Sequence, residues 1–206
     1  MGESIEDPVT HTGAHVDSNQ HLHTEAVTRV EKDQADRQGW KFNINTGDIT
    51  LTNATLTSVL YVKNTANDDI IIDSLIYNLG NTTSGTGDVV ISVLRNPDAG
   101  SMITNANDVL VGPTVVANQN FGSTNLMTGL FYKGATGETA LSGGQGTTIT
   151  TRSSSATGRI FISLGSMTLP KGSSLGINYT PPTSNTSQIC QFALACHVRD
   201  KTVAAI

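Results

Sequence analysis

Four of the five histidines lie within residues 1–39, as His11, His15, His21 and His23. Imidazoles at alternate positions, as in His21-Leu22-His23, project the same way from an extended chain and can share one transition metal. Symmetry-related arms of a trimer would then surround a metal on the axis, with His21 and His23 as its ligands. Solvated histidines on a polar arm meet the same pattern without any assembly. That simpler reading is adopted, and neither a metal nor any other cofactor is expected.

The remaining histidine, His197, has no second histidine beside it in the β domain and no obvious partner carboxylate, so nothing marks a Ser-His-Asp relay. No G-x-S-x-G, H-E-x-x-H or phosphate-binding glycine motif occurs. Gly85-Thr86-Gly87 and Gly143-Gly144-Gln145-Gly146 lack the following helix that turns a glycine loop into an anion site, and read as surface loops. A glycosidase needs two carboxylates facing each other across a groove. The acidic residues instead gather in turns such as Asp68-Asp69. A protein without catalytic machinery is the expectation.

Cys190 and Cys196 lie in one apolar segment. On a continuous strand they are roughly 20 Å apart, too far for a disulfide, and share a face because their separation is even. They read as buried free thiols, suited to synthesis in a reducing cytoplasm. The sequons at Asn53, Asn81, Asn178 and Asn185 are what a chain rich in Asn, Thr and Ser produces by chance. Met1–Asp7 is acidic and polar, unlike a secretory signal.

These side chains must be carried by some scaffold, and the composition indicates which. Charged residues are 14% of the 206 residues, well under the roughly 25% of typical domains. Thr, Ser, Asn and Gly take their place, a mixture that suits short strands joined by tight turns. A net charge of −5 lacks the basic field that gathers nucleic acid or anionic lipid, so neither is an expected partner. No apolar run approaches the roughly 20 residues that span a bilayer.

The chain divides near residue 40. Residues 1–40 hold few large hydrophobics and read as an arm, extended or disordered until it meets a partner. Its apolar side chains Val16, Leu22, Val27, Val30 and Trp40 are the expected partner-binding residues. Glu25–Lys32 could form two helical turns. Residues 41–198 read as one β domain, and 199–206 as a tail.

Phe42–Ile44 and Ile49–Thr52 alternate around Asn45-Thr46-Gly47-Asp48, which predicts a hairpin. Further strands are predicted at 59–63, 70–77, 89–95, 130–133, 159–164, 174–180 and 188–198, with weaker signals at 109–111 and 115–116. About eight short strands without intervening helices predict an all-β, antiparallel β-sandwich of jelly-roll type.

Several segments also resemble a group of small tailed-bacteriophage virion proteins. They include Phe42-Asn43-Ile44-Asn45-Thr46-Gly47, Leu60-Tyr61-Val62-Lys63-Asn64, Val93-Leu94-Arg95-Asn96-Pro97 and Asn120-Phe121-Gly122-Ser123. Phe131-Tyr132-Lys133-Gly134 and Leu169-Pro170-Lys171-Gly172-Ser173-Ser174 belong to the same set. The resemblance implies a capsid decoration (cement) protein or a related head or tail accessory protein. The expectations are a homotrimer, a major capsid protein or other virion protein as partner, and a place on the capsid surface after synthesis in the host cytoplasm. The alternative is a carbohydrate- or receptor-binding module of a tail fibre or adhesion protein. Loops 80–88, 112–128 and 134–157 would then present the ligand groups, with Phe121 and Tyr132 as the loop aromatics.

Overall fold

The computed structural model describes residues 4–6, 13–16, 22–23, 31–52, 55–80, 89–97, 116–135, 138–144, 149–153, 158–182 and 187–199. The arm contributes strands β1 (Ser4–Glu6), β2 (Gly13–Val16) and β3 (Leu22–His23), then helix α1 (Glu31–Arg37). The domain follows with β4 (Lys41–Asn45), β5 (Ile49–Leu51), β6 (Thr57–Asn64), β7 (Asp69–Leu79) and β8 (Val89–Arg95). Next come β9 (Val116–Asn118), β10 (Gly129–Lys133), β11 (Ile149–Ser153), β12 (Gly158–Leu169), β13 (Ser174–Thr180) and β14 (Gln188–Arg199). No helix among the described residues is long and apolar enough to cross a membrane.

The strands make a β-sandwich, and its pairing is nested. β8 pairs with β11, β7 with β12, β6 with β13, and β4 with β14, all antiparallel. One long hairpin has in effect been folded over itself, which is jelly-roll topology. The resulting sheets run β10-β6-β13-β8-β11 and β12-β7-β14-β4-β9. β9 and β10, both from the long connection between β8 and β11, widen one sheet each.

Alternation of side chains drives the packing. Phe42, Ile44, Leu75, Tyr77, Phe192 and Leu194 from one sheet meet Leu60, Val62, Ile91, Ile177 and Tyr179 from the other in a single buried cluster. Tyr77 and Tyr179 flank Phe192, with ring centroids 6.0 and 5.6 Å away. Each such side chain, fully buried, contributes about 1.5–3 kcal/mol.

Two expectations change here. The segment 45–48 is not a hairpin turn, because β4 and β5 both pair with β14 along one edge. The inward positions are Phe42, Ile44 and Thr46 before the break, then Ile49 and Leu51 after it. The phase slips by one residue, so the inserted Gly47-Asp48 returns the apolar set to the core face. Thr46 replaces a ladder partner, donating its N–H to Phe192 O (2.9 Å) and accepting from Phe192 N–H on Oγ1 (3.0 Å). A helix lies at Glu31–Arg37; of the helical turns expected at Glu25–Lys32, residues 25–30 lie outside the described ones. β11 was not foreseen and occupies part of the expected loop 134–157.

Both cysteines are free, buried and on the core face of β14, as expected. Of the sequon asparagines, Asn178 is buried in β13, where its amide is held at both ends by the backbone of Leu141.

Candidate functional site

A carboxylate does stand beside the lone histidine. Asp73 Oδ2 lies 3.1 Å from His197 Nδ1, and both side chains are buried. Register brings them together: Ser74 pairs with Ala195 and Ile72 with Cys196, so Asp73 is an extra residue in β7. On the other side, Leu164–Ser166 bulge out of β12, and Ser166 Oγ reaches to 3.5 Å of Asp73 Oδ1. The order is Ser–carboxylate–imidazole. A nucleophilic relay needs the imidazole between the other two, so His197 is not placed to take a proton from Ser166. The cluster ties two bulged strands and the last strand together.

The root of the arm is a second constructed feature. Helix α1 packs on β4 and β14, with Ala35 buried. It ends in a Schellman motif, Gly39 N–H donating to Asp36 O and Trp40 N–H to Ala35 O, with Gly39 at φ 74°. The turn at 118–125 is stitched beneath it. The amides of Asn118, Asn120 and Asn125 donate to carbonyls of residues 36–39. Phe121, at the tip of this turn, is 98% exposed.

The third feature is the outer face of the β12-β7-β14-β4 sheet, where neighbouring residues fall into rows. Gln191, Asn78 and Arg159 form one row across β14, β7 and β12. Asn45, Ala193, Ile76 and Phe161 form the next, and Asn43, Ala195, Ser74 and Ser163 the third. The small Ala193 and Ala195 leave a trough along β14, walled by amides on the β4 side and by larger side chains on the β7 and β12 side. One depression of about 470 Å³ is lined by Asn43, Asn45, Ile76, Asn78, Arg159, Gln191 and Ala193. A second of about 400 Å³ continues it past Ile76 to Phe161, Ser163 and Ala195. Gln191 is oriented by its amide, which donates to Asp48 Oδ1.

The residues singled out from sequence are placed unevenly. Val16 in β2 is the register partner of Leu22 in β3, and His23 is the partner of His15. His21, Val27 and Val30 lie outside the described residues. Trp40 is partly buried against the sandwich core, with its carbonyl accepting from Val198 N–H. Among the described residues no three His, Cys, Asp or Glu side chains are grouped as a metal site requires. Of the loop aromatics, Tyr132 is half-buried against Tyr61 at 5.8 Å between rings, whereas Phe121 stands free of the core. The rows on the outer sheet face escaped the sequence reading. Outward amides at alternate strand positions were the available signal, and register alone makes neighbours of them.

A scan of protein-family models finds no match to the chain, and a search of curated proteins finds none either.

Proposed function

We propose that this chain is a non-enzymatic structural protein of a tailed-phage virion, a decoration (cement) protein that binds the capsid shell through its N-terminal arm. The observation that carries the reading is the construction of the arm. β1, β2 and β3 pair with one another in a sheet separate from the sandwich, while the arm's root is fastened to the domain by α1 and the asparagine-rich turn. Strands of two to four residues form a sheet too small to stand alone in water. A shell surface completes it, and the fixed root sets where the arm leaves the domain.

The resemblance in the strand and turn segments supports the same reading. The partner is the major capsid protein, the assembly is a homotrimer, and the site of action is the capsid surface.

Deleting residues 1–30 tests this, because the deletion spares α1 and the domain. The deleted chain should keep its melting temperature and lose co-sedimentation with capsids. Retained capsid binding would remove the arm from the mechanism. Light scattering on both chains reports the oligomer, and a monomeric full-length chain would refute the trimer.

A further inference from the structure

We propose that the trough on the outer face of the β12-β7-β14-β4 sheet binds an oligosaccharide bearing a carboxylate. This is an activity additional to shell binding, and it resides on a different part of the molecule.

The floor of the trough lies on β14 and β7, interior strands whose backbone groups are taken by neighbours on both sides. A peptide therefore cannot add as a further strand here, and recognition must come from side chains. In the larger depression those side chains are mostly neutral amides, Asn43, Asn45, Asn78 and Gln191, which donate and accept in the same plane and so match the vicinal hydroxyls of a sugar. Asn43 Oδ1 is buried without a donor, leaving one acceptor that a turn of the amide would present to a ligand hydroxyl.

The apolar part has the right form as well. Phe161 is 65% exposed in the middle of a strand, beside Ile76, its register partner. An aromatic ring held open on a rigid sheet gives the C–H face of a pyranose a surface to cover. Each depression falls within the roughly 300–1,000 Å³ of small-ligand sites. From Gln191 to Ala195 the trough runs about 13 Å at the usual strand rise, longer than one sugar ring.

Charge selects the class of sugar. The lining of the larger depression includes one ionic side chain, Arg159, and no Asp or Glu. No ion-pair partner holds Arg159 among the described residues. In a chain of net charge −5 this is a local positive site, and a guanidinium pairs with a carboxylate through two parallel hydrogen bonds. A polyanion such as nucleic acid would meet the repulsion of the whole molecule, whereas one uronate carboxylate in the larger depression meets Arg159, the charges of Lys41 and Asp73 lining the second depression instead.

The full-length protein would be screened on an array of acidic and neutral oligosaccharides that includes trigalacturonate and maltotriose, with hits followed by calorimetry. Acidic glycans should bind, and Arg159→Gln should weaken them at least tenfold. Phe161→Ala should weaken them severalfold, and Ala193→Phe should abolish binding by filling the floor. The thermal melt of each variant checks that the fold persists. Arg159 and Phe161 point outward from an intact sheet, so at least these two should melt as the parent does. Binding of neutral glycans only, binding indifferent to all three substitutions, or no binding on the array would overturn the proposal.

Discussion

Asp73 and His197 are separated by 124 residues and meet at 3.1 Å inside the protein. The contact exists because Asp73 is an inserted residue in β7, opposite the point where β14 passes from Ala195 to Cys196. A bulge has turned a carboxylate toward the one histidine of the domain.

Truncating either partner should therefore be severe. Asp73→Ala or His197→Ala removes the 3.1 Å contact from a buried polar partner, at a cost of about 1–3 kcal/mol. The double variant should lose clearly less than the sum of the two, since both truncations remove the same contact. Urea unfolding of the four proteins measures the coupling, and additive losses would mean that the two side chains do not stabilise each other.

Gly39 decides how the arm leaves the domain. Its φ of 74° is left-handed, and a Cβ there would fall 2.1 Å from Ser123 Oγ. Gly39→Ala should cost at least about 1–2 kcal/mol from backbone strain alone. It should also expose the junction to protease. Adding Ser123→Gly, which removes the clashing atoms, should recover part of the loss but not the strain. Full recovery would show that sterics rather than backbone conformation set this position.

The two thiols should be inert in the native protein and should shape its alkaline limb. Burial pushes Cys190 up to about 12, and burial raises Cys196 as well. An unfolded thiol titrates near 8.5, so the native state holds these protons longer than the unfolded one. Their stabilisation is complete below about pH 8.5 and is lost as pH rises toward 12. A disulfide-exchange reagent at pH 8 should label neither cysteine until denaturant is added. The Cys190→Ala/Cys196→Ala variant should show a flatter decline of stability between pH 9 and 11, and an unchanged decline would assign it to other groups.

Two buried tyrosines make opposite predictions. Tyr77 carries a buried hydroxyl with no hydrogen-bond partner, and burial raises its pKa. Tyr77→Phe should be neutral or stabilising by up to about 1 kcal/mol. Tyr179 instead donates to Gln188 at 2.5 Å, so Tyr179→Phe should destabilise by about 1–2 kcal/mol. Thermal melts of both variants decide, and equal effects would contradict the hydrogen-bond assignment.

The sequence was legible where one strand's pattern is self-contained. Alternation at 174–180 puts Leu175, Ile177 and Tyr179 inward, and all three are in the core. It misled at 45–48, where Asn-Thr-Gly-Asp has hairpin composition but lies between two segments on the same edge of β14. A glycine turn and a glycine bulge share local chemistry, and only the partner strand distinguishes them. β11, with its Thr-Thr-Arg-Ser sequence, offered no apolar alternation and became a strand by pairing with β8. The carboxylate beside His197 was invisible for a similar reason, since no local rule reveals which residue of β7 will be the extra one.

By itself, the sequence determined the class of protein. Low charge, many β-formers, frequent turns and even-spaced apolar residues leave an all-β sandwich as the way to bury that surface, because side-chain alternation is a local property of a strand. Tertiary structure decided everything that depends on register. It nested the strands into a jelly roll, fastened the arm through Gly39 and the turn at 118–125, and joined Asp73 to His197. It also laid Asn43, Asn45, Asn78, Gln191 and Arg159 around one trough. The physical reason is that a one-residue shift in pairing changes every cross-strand neighbour and the face it occupies, and that register is set by contacts between segments far apart in the chain.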